Sequence, residues 1–299
     1  QSHHLFAVEE PVWYNESGQV NPSWLSACEQ ERNLSNDLMD RIADPLNLSK
    51  AYRRVVSNGG SAGIDGMEVE ELGEWLSDHL PRLIEQLLKG SYEPQPVRGV
   101  EIPKANGGRR MLGIPTVKDR LVQQAIQQVL GERYEPVFST RSYGFRLGKS
   151  AHQALKQGGI YVAQGKHYVI DLDLEKFFDE VNHHRLMWQL STRINDRRLL
   201  QLIHRYLKAG MMQGGLSSQR IKGTPQGSPL SPLLSNIVLD ELDKELNRRG
   251  HSYVRYADDV KIFVGSYRRA VEVKANITRY ITERLNLKVN ESKSRVCKG

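Results

Sequence analysis

The stretch "SYVRYADDVKIFVG", Ser252 to Gly265, places two adjacent aspartates between two runs rich in β-branched and aromatic residues. Such runs favour β-strands, and Asp is common in tight turns because its carboxylate accepts hydrogen bonds from nearby backbone N–H groups. The stretch therefore predicts a β-hairpin whose turn carries Asp258 and Asp259. An isolated Asp-Asp pair is more often a solvated turn than a site, so the rest of the chain must decide its role.

The composition limits the partners that the chain can have. Its 299 residues include 42 Lys and Arg against 35 Asp and Glu, a formal net charge of +7. This basic excess favours a polyanionic partner, most simply nucleic acid. Cys28 and Cys297 form neither a disulfide framework nor a metal-ligand spacing, which favours a reducing, cytoplasmic setting. No apolar run reaches the roughly 18 residues of a membrane span.

A second acidic cluster lies in "KHYVIDLDLEKFFDE", residues 166–180. Side chains alternate between the faces of a strand, so Asp171, Asp173 and Glu175 are expected on one face. The region just before them, residues 136–170, contains five Lys and Arg and no acid. Two like charges about 4 Å apart cost roughly 4 kcal/mol at an effective dielectric of about 20, so clustered carboxylates need a counter-charge.

A divalent cation is the simplest counter-charge for these acids. Mg²⁺ prefers carboxylate and phosphate oxygens, and a pair of ions roughly 3.5–4 Å apart supports phosphoryl transfer. We therefore expect the strand and the hairpin turn to converge on metal. The residues alone do not choose between synthesis and hydrolysis of a phosphodiester.

Hydrophobic periodicity predicts the elements of the first half. Residues 69–90, "VEELGEWLSDHLPRLIEQLLKG", predict a helix broken before Pro81 and ended at Gly90. Short apolar pieces around Asn106-Gly107 predict a hairpin. Thr116 is placed to cap the helix that follows, with Asp119 three residues later.

The second half predicts strands alternating with helices. An amphipathic helix ended by Gly250 precedes the Asp258-Asp259 hairpin. A helix from Ala270 to Leu285 and a short strand at Leu287–Val289 follow it. This order predicts an α+β fold in which an antiparallel sheet packs on helices.

These motifs resemble those of reverse transcriptases. Tyr256-Ala257-Asp258-Asp259 resembles their Y-x-D-D motif, Asp173 followed by Phe177-Phe178 resembles their first catalytic motif, and "TPQGSPLSPLLSNIVL" resembles their loop–helix motif. Two further blocks, "IPKANGGRRMLGIPTVKDRLVQQAI" and "SYGFRLGKSAHQAL", resemble the bacterial group II intron-encoded reverse transcriptases, the maturases. The resemblance runs from about Leu48 to the C-terminus.

The resemblance implies a right-hand polymerase with fingers and palm. Residues 1–32 would be an N-terminal segment that is partly a cloning remnant, since it lacks an initiator Met. Residues 33–165 would form the N-terminal extension and the helical fingers. Residues 166–299 would form the palm, with fingers elements inserted near 195–225. The family continues into a thumb and maturase domain; we find no such segment here, and we expect an excised domain of weak processivity.

The resemblance also implies the catalytic residues. Asp173, Asp258 and Asp259 would be catalytic and would hold two Mg²⁺ ions, or Mn²⁺. Asp171 shares the face of Asp173 and is its rival, but the family pattern, with the Asp four residues before the first Phe, selects Asp173.

Nucleotide binding is implied for a further set of residues. Phe178 would exclude a 2′-hydroxyl, although an aromatic there can also be a core residue. Arg109 is an alternative to Arg110 as a triphosphate ligand, and Lys293 would neutralise pyrophosphate. The full set consists of Lys104, Arg110, Phe178, Gln226, Gly227 and Lys293.

Basic residues in the "SYGFRLGKSAHQAL" block, and others in the region 33–54 that the resemblance implies holds the template, are expected to contact the nucleic-acid backbone. They are Lys50, Arg53, Arg54, Arg141, Arg146 and Lys149. Tyr143 and Phe145 would pack or stack beside them. "YGFRLGKSAHQ" is not a P-loop, because only three residues separate its glycines where four are needed.

The resemblance implies an RNA-directed DNA polymerase that copies intron RNA into cDNA from an RNA template, a DNA or RNA primer and dNTPs. It would bind group II intron RNA to assist splicing and mobility, in the bacterial cytoplasm and associated with the nucleoid or a ribonucleoprotein. Three alternatives stay open: a catalytically weak RNA-binding splicing cofactor, a two-metal nuclease, and a retron or CRISPR-associated reverse transcriptase. A homodimer is left open too.

Overall fold

A computed structural model of the chain describes residues 38–103, 107, 109–213, 216–218 and 222–299, with the backbone alone for 216–218. The predicted N-terminal segment 1–32 lies outside them. Two compact units divide the chain. The first takes the described residues within Gln1–Val129, Ile194–Arg220 and Gly227–Pro229, and the second those within Leu130–Arg193, Ile221–Gln226 and Leu230–Gly299. The predicted fingers–palm boundary at residue 165 concerns family domains and stays a prediction.

The described residues form ten α-helices and eight β-strands. The helices are α1 (Leu38–Ile42), α2 (Pro45–Asn58), α3 (Leu72–Leu88), α4 (Val117–Tyr134), α5 (Ala151–Ala163), α6 (Phe177–Glu180), α7 (His183–Ser191), α8 (Arg197–Lys208), α9 (Ser231–Arg248) and α10 (Tyr267–Glu283). The strands are β1 (Val97–Pro103), β2 (Arg109–Ile114), β3 (Tyr168–Leu172), β4 (Met211–Gln213), β5 (Leu216–Ser218), β6 (Ser252–Tyr256), β7 (Asp259–Val264) and β8 (Arg295–Lys298).

The first unit contains a four-stranded sheet in the order β2-β1-β4-β5. Strands β1 and β2 form the predicted hairpin, with Ile102 opposite Arg110 and Gly107 at φ +79°. Strand β1 also pairs in parallel with β4. Helix α4 begins as predicted, because the Asp119 N–H donates to Thr116 Oγ1 at 3.1 Å.

The predicted break before Pro81 is wrong: helix α3 runs without interruption from Leu72 to Leu88. One face of the helix is buried on both sides of the proline, through Leu72, Leu76, Leu80, Leu83 and Leu87. Because these side chains pack along one stripe, burial offsets the single backbone hydrogen bond that the proline cannot donate.

The second unit contains an antiparallel sheet in the order β6-β7-β3-β8. The short strand predicted at Leu287–Val289 is wrong: Val289 makes a single bridge to Leu174. Strand β3 ends at Leu172 and so offers no ladder there. The last strand is instead β8, which pairs with β3 and was not predicted.

The two faces of this sheet differ as the alternation in β3 predicts. Ile170 and Leu172 are wholly buried, whereas Asp171 and Asp173 on the other face are half-exposed. Part of that second face is covered by α5, where the rings of Tyr161 and Phe263 lie 5.4 Å apart. The α+β fold is confirmed. Among the described residues, no helix is long and apolar enough to cross a membrane.

Candidate active site

The register of the sheet brings the two acidic clusters together. Strand β3 pairs with β7 so that Leu172 lies opposite Val260, and the next residue, Asp173, therefore emerges beside Asp259. Directly opposed residues of antiparallel strands have Cα atoms about 4.5–5.5 Å apart. Tyr256 pairs with Asp259, which leaves Ala257 and Asp258 as a two-residue turn. The strand and the hairpin therefore lie side by side in one sheet, and the metal site predicted there stays a prediction.

The three carboxylates lie within electrostatic range of one another. Burial raises the pKa of Asp258 above its usual 3.8, and the charges of Asp259 and Asp173 raise it further. Burial also raises the pKa of Asp259; Lys261 opposes this shift, and Asp173 adds to it. Both shifts arise because negative charge is held in a partly desolvated place without an adjacent cation strong enough to offset it.

The donor set suits a divalent cation. As placed, no three His, Cys, Asp or Glu side chains of the described chain converge closely enough to hold a metal ion. The three aspartates nevertheless offer hard oxygen donors, which Mg²⁺ prefers. A cation bound among them would favour the ionised carboxylates and so reverse the raised pKa values of Asp258 and Asp259. The chemistry of these donors therefore fits a divalent cation, whereas their distances as placed do not yet form its site.

The segment after α10 fastens Asp173 in place. The Asp173 N–H donates to Ser294 Oγ at 3.0 Å, and its carbonyl accepts from the Asn290 N–H at 2.8 Å. Lys293 extends from this segment so that its Nζ lies 3.6 Å from Asp173 Oδ2. The rival acid, Asp171, is already engaged, because Lys261 Nζ lies 2.6 Å from its carboxylate.

Phe178 is fixed through its backbone. Its ring is half-buried and meets Phe177 edge to face, with centroids 5.4 Å apart. The Thr224 N–H donates to the Phe178 carbonyl at 2.7 Å, and a Cβ on Gly223 would lie 2.9 Å from that same oxygen. The loop that leads to Gln226 is therefore attached to the Phe178 turn within the second unit.

The other predicted nucleotide ligands belong to the first unit or are not described. Arg110 is exposed on β2, while its alternative Arg109 is paired with Glu101 at 2.7 Å. Gly227 has φ +106°, and a Cβ added there would lie 3.0 Å from Leu112 Cδ1. Any other residue at this position would therefore be strained. Lys104 lies outside the described residues.

The predicted nucleic-acid ligands have different environments. Lys50, Arg53 and Arg54 are exposed on α2. Lys149 Nζ lies 5.1 Å from the ring centroid of Tyr143. Arg141 Nη1 donates to the His251 carbonyl at 2.5 Å.

Arg146 is held inside its own loop. Its side chain is 5% exposed and pairs with Glu135 at 2.6 Å. It also donates to the carbonyls of Ser139 and Ser142. These bonds leave the guanidinium little capacity for a phosphate.

Sequence reasoning missed a buried ion pair beside the turn. Arg255 Nη2 lies 2.6 Å from Asp243 Oδ2, and neither side chain is exposed. A signal was present: alternation in β6 places Arg255 on the buried face with Tyr253, and Asp243 lies in the apolar stripe of α9 beside Leu242. A charged residue on each of two apolar faces indicates that the two charges meet.

An antiparallel sheet that sets Asp173 beside a hairpin with Asp258 in its turn and Asp259 at the start of its second strand is typical of a palm-type nucleotidyl transferase. Comparison with known proteins gives the family. The family model described as "Reverse transcriptase (RNA-dependent DNA polymerase)" matches residues 102–299. The chain belongs to this family, and the predicted resemblance is confirmed.

Relatives and solved structures agree with this assignment. Protein YkfC of Escherichia coli K12 is 34% identical over 300 residues, covering 87% of this chain and 78% of YkfC. The group II intron-encoded protein LtrA of Lactococcus lactis subsp. cremoris is 39% identical over 195 residues, covering 65% of this chain. The chain spans only 32% of LtrA. Among structures, a partial Cas6-RT-Cas1–Cas2 complex matches with a TM-score of 0.51 and 28% identity, over 83% of this chain and 43% of that one.

Proposed function

We propose that this chain is the polymerase core of a group II intron-encoded protein and copies intron RNA into cDNA. The primer 3′-hydroxyl attacks the α-phosphate of a dNTP; a new P–O bond forms, the α–β phosphoanhydride bond breaks, and pyrophosphate leaves. The observation that carries the proposal is the register that sets Asp173 beside Asp259. Membership in the reverse transcriptase family supplies the class of reaction.

Asp173, Asp258 and Asp259 would hold two Mg²⁺ or Mn²⁺ ions. When bound, such ions would supply positive charge beside the primer hydroxyl and the leaving pyrophosphate. Lys293, already near Asp173, adds a positive charge for the pyrophosphate.

The remaining roles follow from the family resemblance. Phe178 would exclude the 2′-hydroxyl of an NTP, and its backbone attachment to Thr224 would hold the ring in place. Arg110 and Lys104 would bind the triphosphate, and Gln226 and Gly227 would contact the nucleotide. A guanidinium suits phosphate because it donates two parallel hydrogen bonds.

Intron RNA is the proposed partner, through basic residues that contact its phosphates. They are Lys50, Arg53, Arg54, Arg141 and Lys149. Arg146 is not carried into this proposal, because Glu135 and two carbonyls already occupy its guanidinium. The identity to LtrA, an intron-encoded protein by its name, favours intron RNA over the CRISPR-associated alternative, whose matched structure is less identical.

Primer extension on an RNA template tests the proposal. The native protein, with Mg²⁺ and dNTPs, should extend a DNA primer, and Asp258→Ala should reduce the rate by at least about 10²-fold, as expected for loss of a group that stabilises transition-state charge. RNA binding without extension by the native protein would favour the splicing cofactor. Loss of primer without need for dNTPs would favour the nuclease.

A further inference from the structure

Arg255 lies two residues before the turn residue Ala257, and its side chain is buried in the core. Its side chain is fully buried, and its Nε and Nη2 donate to Asp243 at 3.0 and 2.6 Å. The remaining nitrogen, Nη1, donates to Asn236 Oδ1 at 2.9 Å and to the Ala257 carbonyl at 2.8 Å. One guanidinium thus links helix α9 to the peptide that joins Ala257 to Asp258.

The same turn is held from a second direction. The Arg255 N–H donates to the Arg141 carbonyl at 2.9 Å, and the Tyr143 N–H donates to the Arg255 carbonyl at 2.8 Å. Gly144 then approaches so closely that a Cβ would lie 2.1 Å from the Ala257 nitrogen. Asn236 links these contacts to Arg255, because its Oδ1 accepts from Arg255 while its Nδ2 donates to the Gly144 carbonyl at 3.0 Å.

The turn needs such support. Ala257 has φ +57°, a conformation that is rarely adopted by residues with a Cβ and that persists only where the surroundings enforce it. Two adjacent, partly buried carboxylates also repel each other. Stability alone does not require an ion pair here, because a buried pair can often be replaced by apolar residues without loss. The planar guanidinium donates to oxygens of three residues, Asp243, Asn236 and Ala257, and so fixes a geometry that apolar side chains cannot.

We propose that Arg255, Asp243 and Asn236 form an anchor that sets the position of Asp258 and Asp259 for metal binding and catalysis. Arg255 is a positioning residue, since its side chain is fully buried and acts through the Ala257 carbonyl. The inference rests on the proposed function for its catalytic consequence. Its structural consequence, an ordered turn, is independent of that function.

The test replaces both charges at once, because a single substitution would leave a buried charge unpaired and unfold the chain. The double variant Arg255→Met/Asp243→Leu keeps an apolar core. The matched control is Arg185→Met/Glu241→Leu, which removes an ion pair between α7 and the same helix α9. Four quantities are measured: the single-turnover rate at saturating dNTP, the apparent dNTP Kd, the thermal midpoint, and amide hydrogen exchange of residues 257–259.

The anchor variant should add a nucleotide on the order of 10²-fold more slowly, as for a misplaced catalytic group, while the dNTP Kd and the thermal midpoint stay near native. Exchange at residues 257–259 should be faster in this variant alone. A native rate, unchanged exchange, or an equal rate loss in the control would overturn the anchor. If the native protein adds no nucleotide, the proposed function fails, and exchange alone then decides: faster exchange supports the anchor and unchanged exchange refutes it.

Discussion

Lys261 Nζ lies 2.6 Å from Asp171, two residue pairs away from the point where Asp173 emerges beside Asp259. Two acids on the same face of β3 thus have different partners. The lysine neutralises Asp171 in a partly exposed pair, in which the Lys261 side chain is 43% exposed and the Asp171 side chain 29%. Asp173 instead faces Asp258 and Asp259, with Lys293 Nζ 3.6 Å from its Oδ2.

This difference predicts unequal effects of the same substitution. Asp173→Asn should reduce primer extension by at least about 10²-fold, because it removes a proposed metal ligand. Asp171→Asn should leave extension near native and change stability by no more than about 1 kcal/mol, since an exposed ion pair contributes little. Single-turnover extension and urea unfolding measure the two effects. If Asp171→Asn is inactive and Asp173→Asn is active, Asp171 and not Asp173 is the catalytic aspartate at the end of β3.

The raised pKa of Asp258 predicts how stability changes with pH. The folded state binds this proton more tightly than the unfolded chain, so the contribution of Asp258 to stability is fully present below pH 3.8 and is lost as pH rises through its folded-state pKa. Asp258→Asn stays uncharged throughout. In metal-free buffer at pH 7 it should therefore melt at a higher temperature than the native protein, and the difference should shrink towards pH 3.8.

Mg²⁺ should reverse the order of the melting temperatures of the native protein and Asp258→Asn. Mg²⁺ that binds only the folded, ionised site raises the melting temperature of the native protein by mass action and has little effect on Asp258→Asn. Melting curves with and without Mg²⁺ measure this. A native protein and a variant that respond equally to Mg²⁺ would show that the ion binds elsewhere.

Local patterns predicted much of the fold because they depend on near neighbours along the chain. Alternation in β3 correctly separated the face of Asp171 and Asp173 from the buried face of Ile170 and Leu172, since a period of two leaves only one face for each residue. The Pro81 prediction failed because a local rule for helix breaking was outweighed by tertiary burial on both sides. The strand at Leu287–Val289 failed because pairing depends on where a distant strand ends.

The environment of charged residues was the hardest part to predict. A basic loop looks like a nucleic-acid surface, yet Arg146 pairs with Glu135, eleven residues earlier, through a loop conformation that no period describes. Arg255 and Asp243 are buried only because each neutralises the other across β6 and α9. Composition alone favours exposure for such residues, and only the periodicity of β6 and α9 indicated that Arg255 and Asp243 are buried.

The close approach of Gly144 to the turn predicts a position-specific effect of a methyl group. Gly144→Ala would place Cβ 2.1 Å from the Ala257 nitrogen, so the turn must move and extension should fall, on the order of 10²-fold for a displacement of about 1 Å. Gly159→Ala is the control, because it meets nothing within 4 Å in helix α5. The control should gain up to about 1 kcal/mol of stability without loss of activity. Full activity in Gly144→Ala would show that the turn tolerates displacement.

Loss of charge at Arg146 should reduce the stability of the fold, whereas loss of charge at Lys149, three residues later, should affect RNA binding instead. Arg146→Gln leaves Glu135 and two carbonyls without their donor, so we expect a loss of about 1–3 kcal/mol in the free energy of unfolding. Lys149→Gln should stay within about 0.5 kcal/mol of native stability. If Lys149 contacts a phosphate, its loss should reduce the slope of log affinity against log salt by about 0.7–0.9. Urea unfolding and RNA binding over a salt series measure both effects, and a stable Arg146→Gln with a reduced salt slope would instead assign the phosphate contact to Arg146.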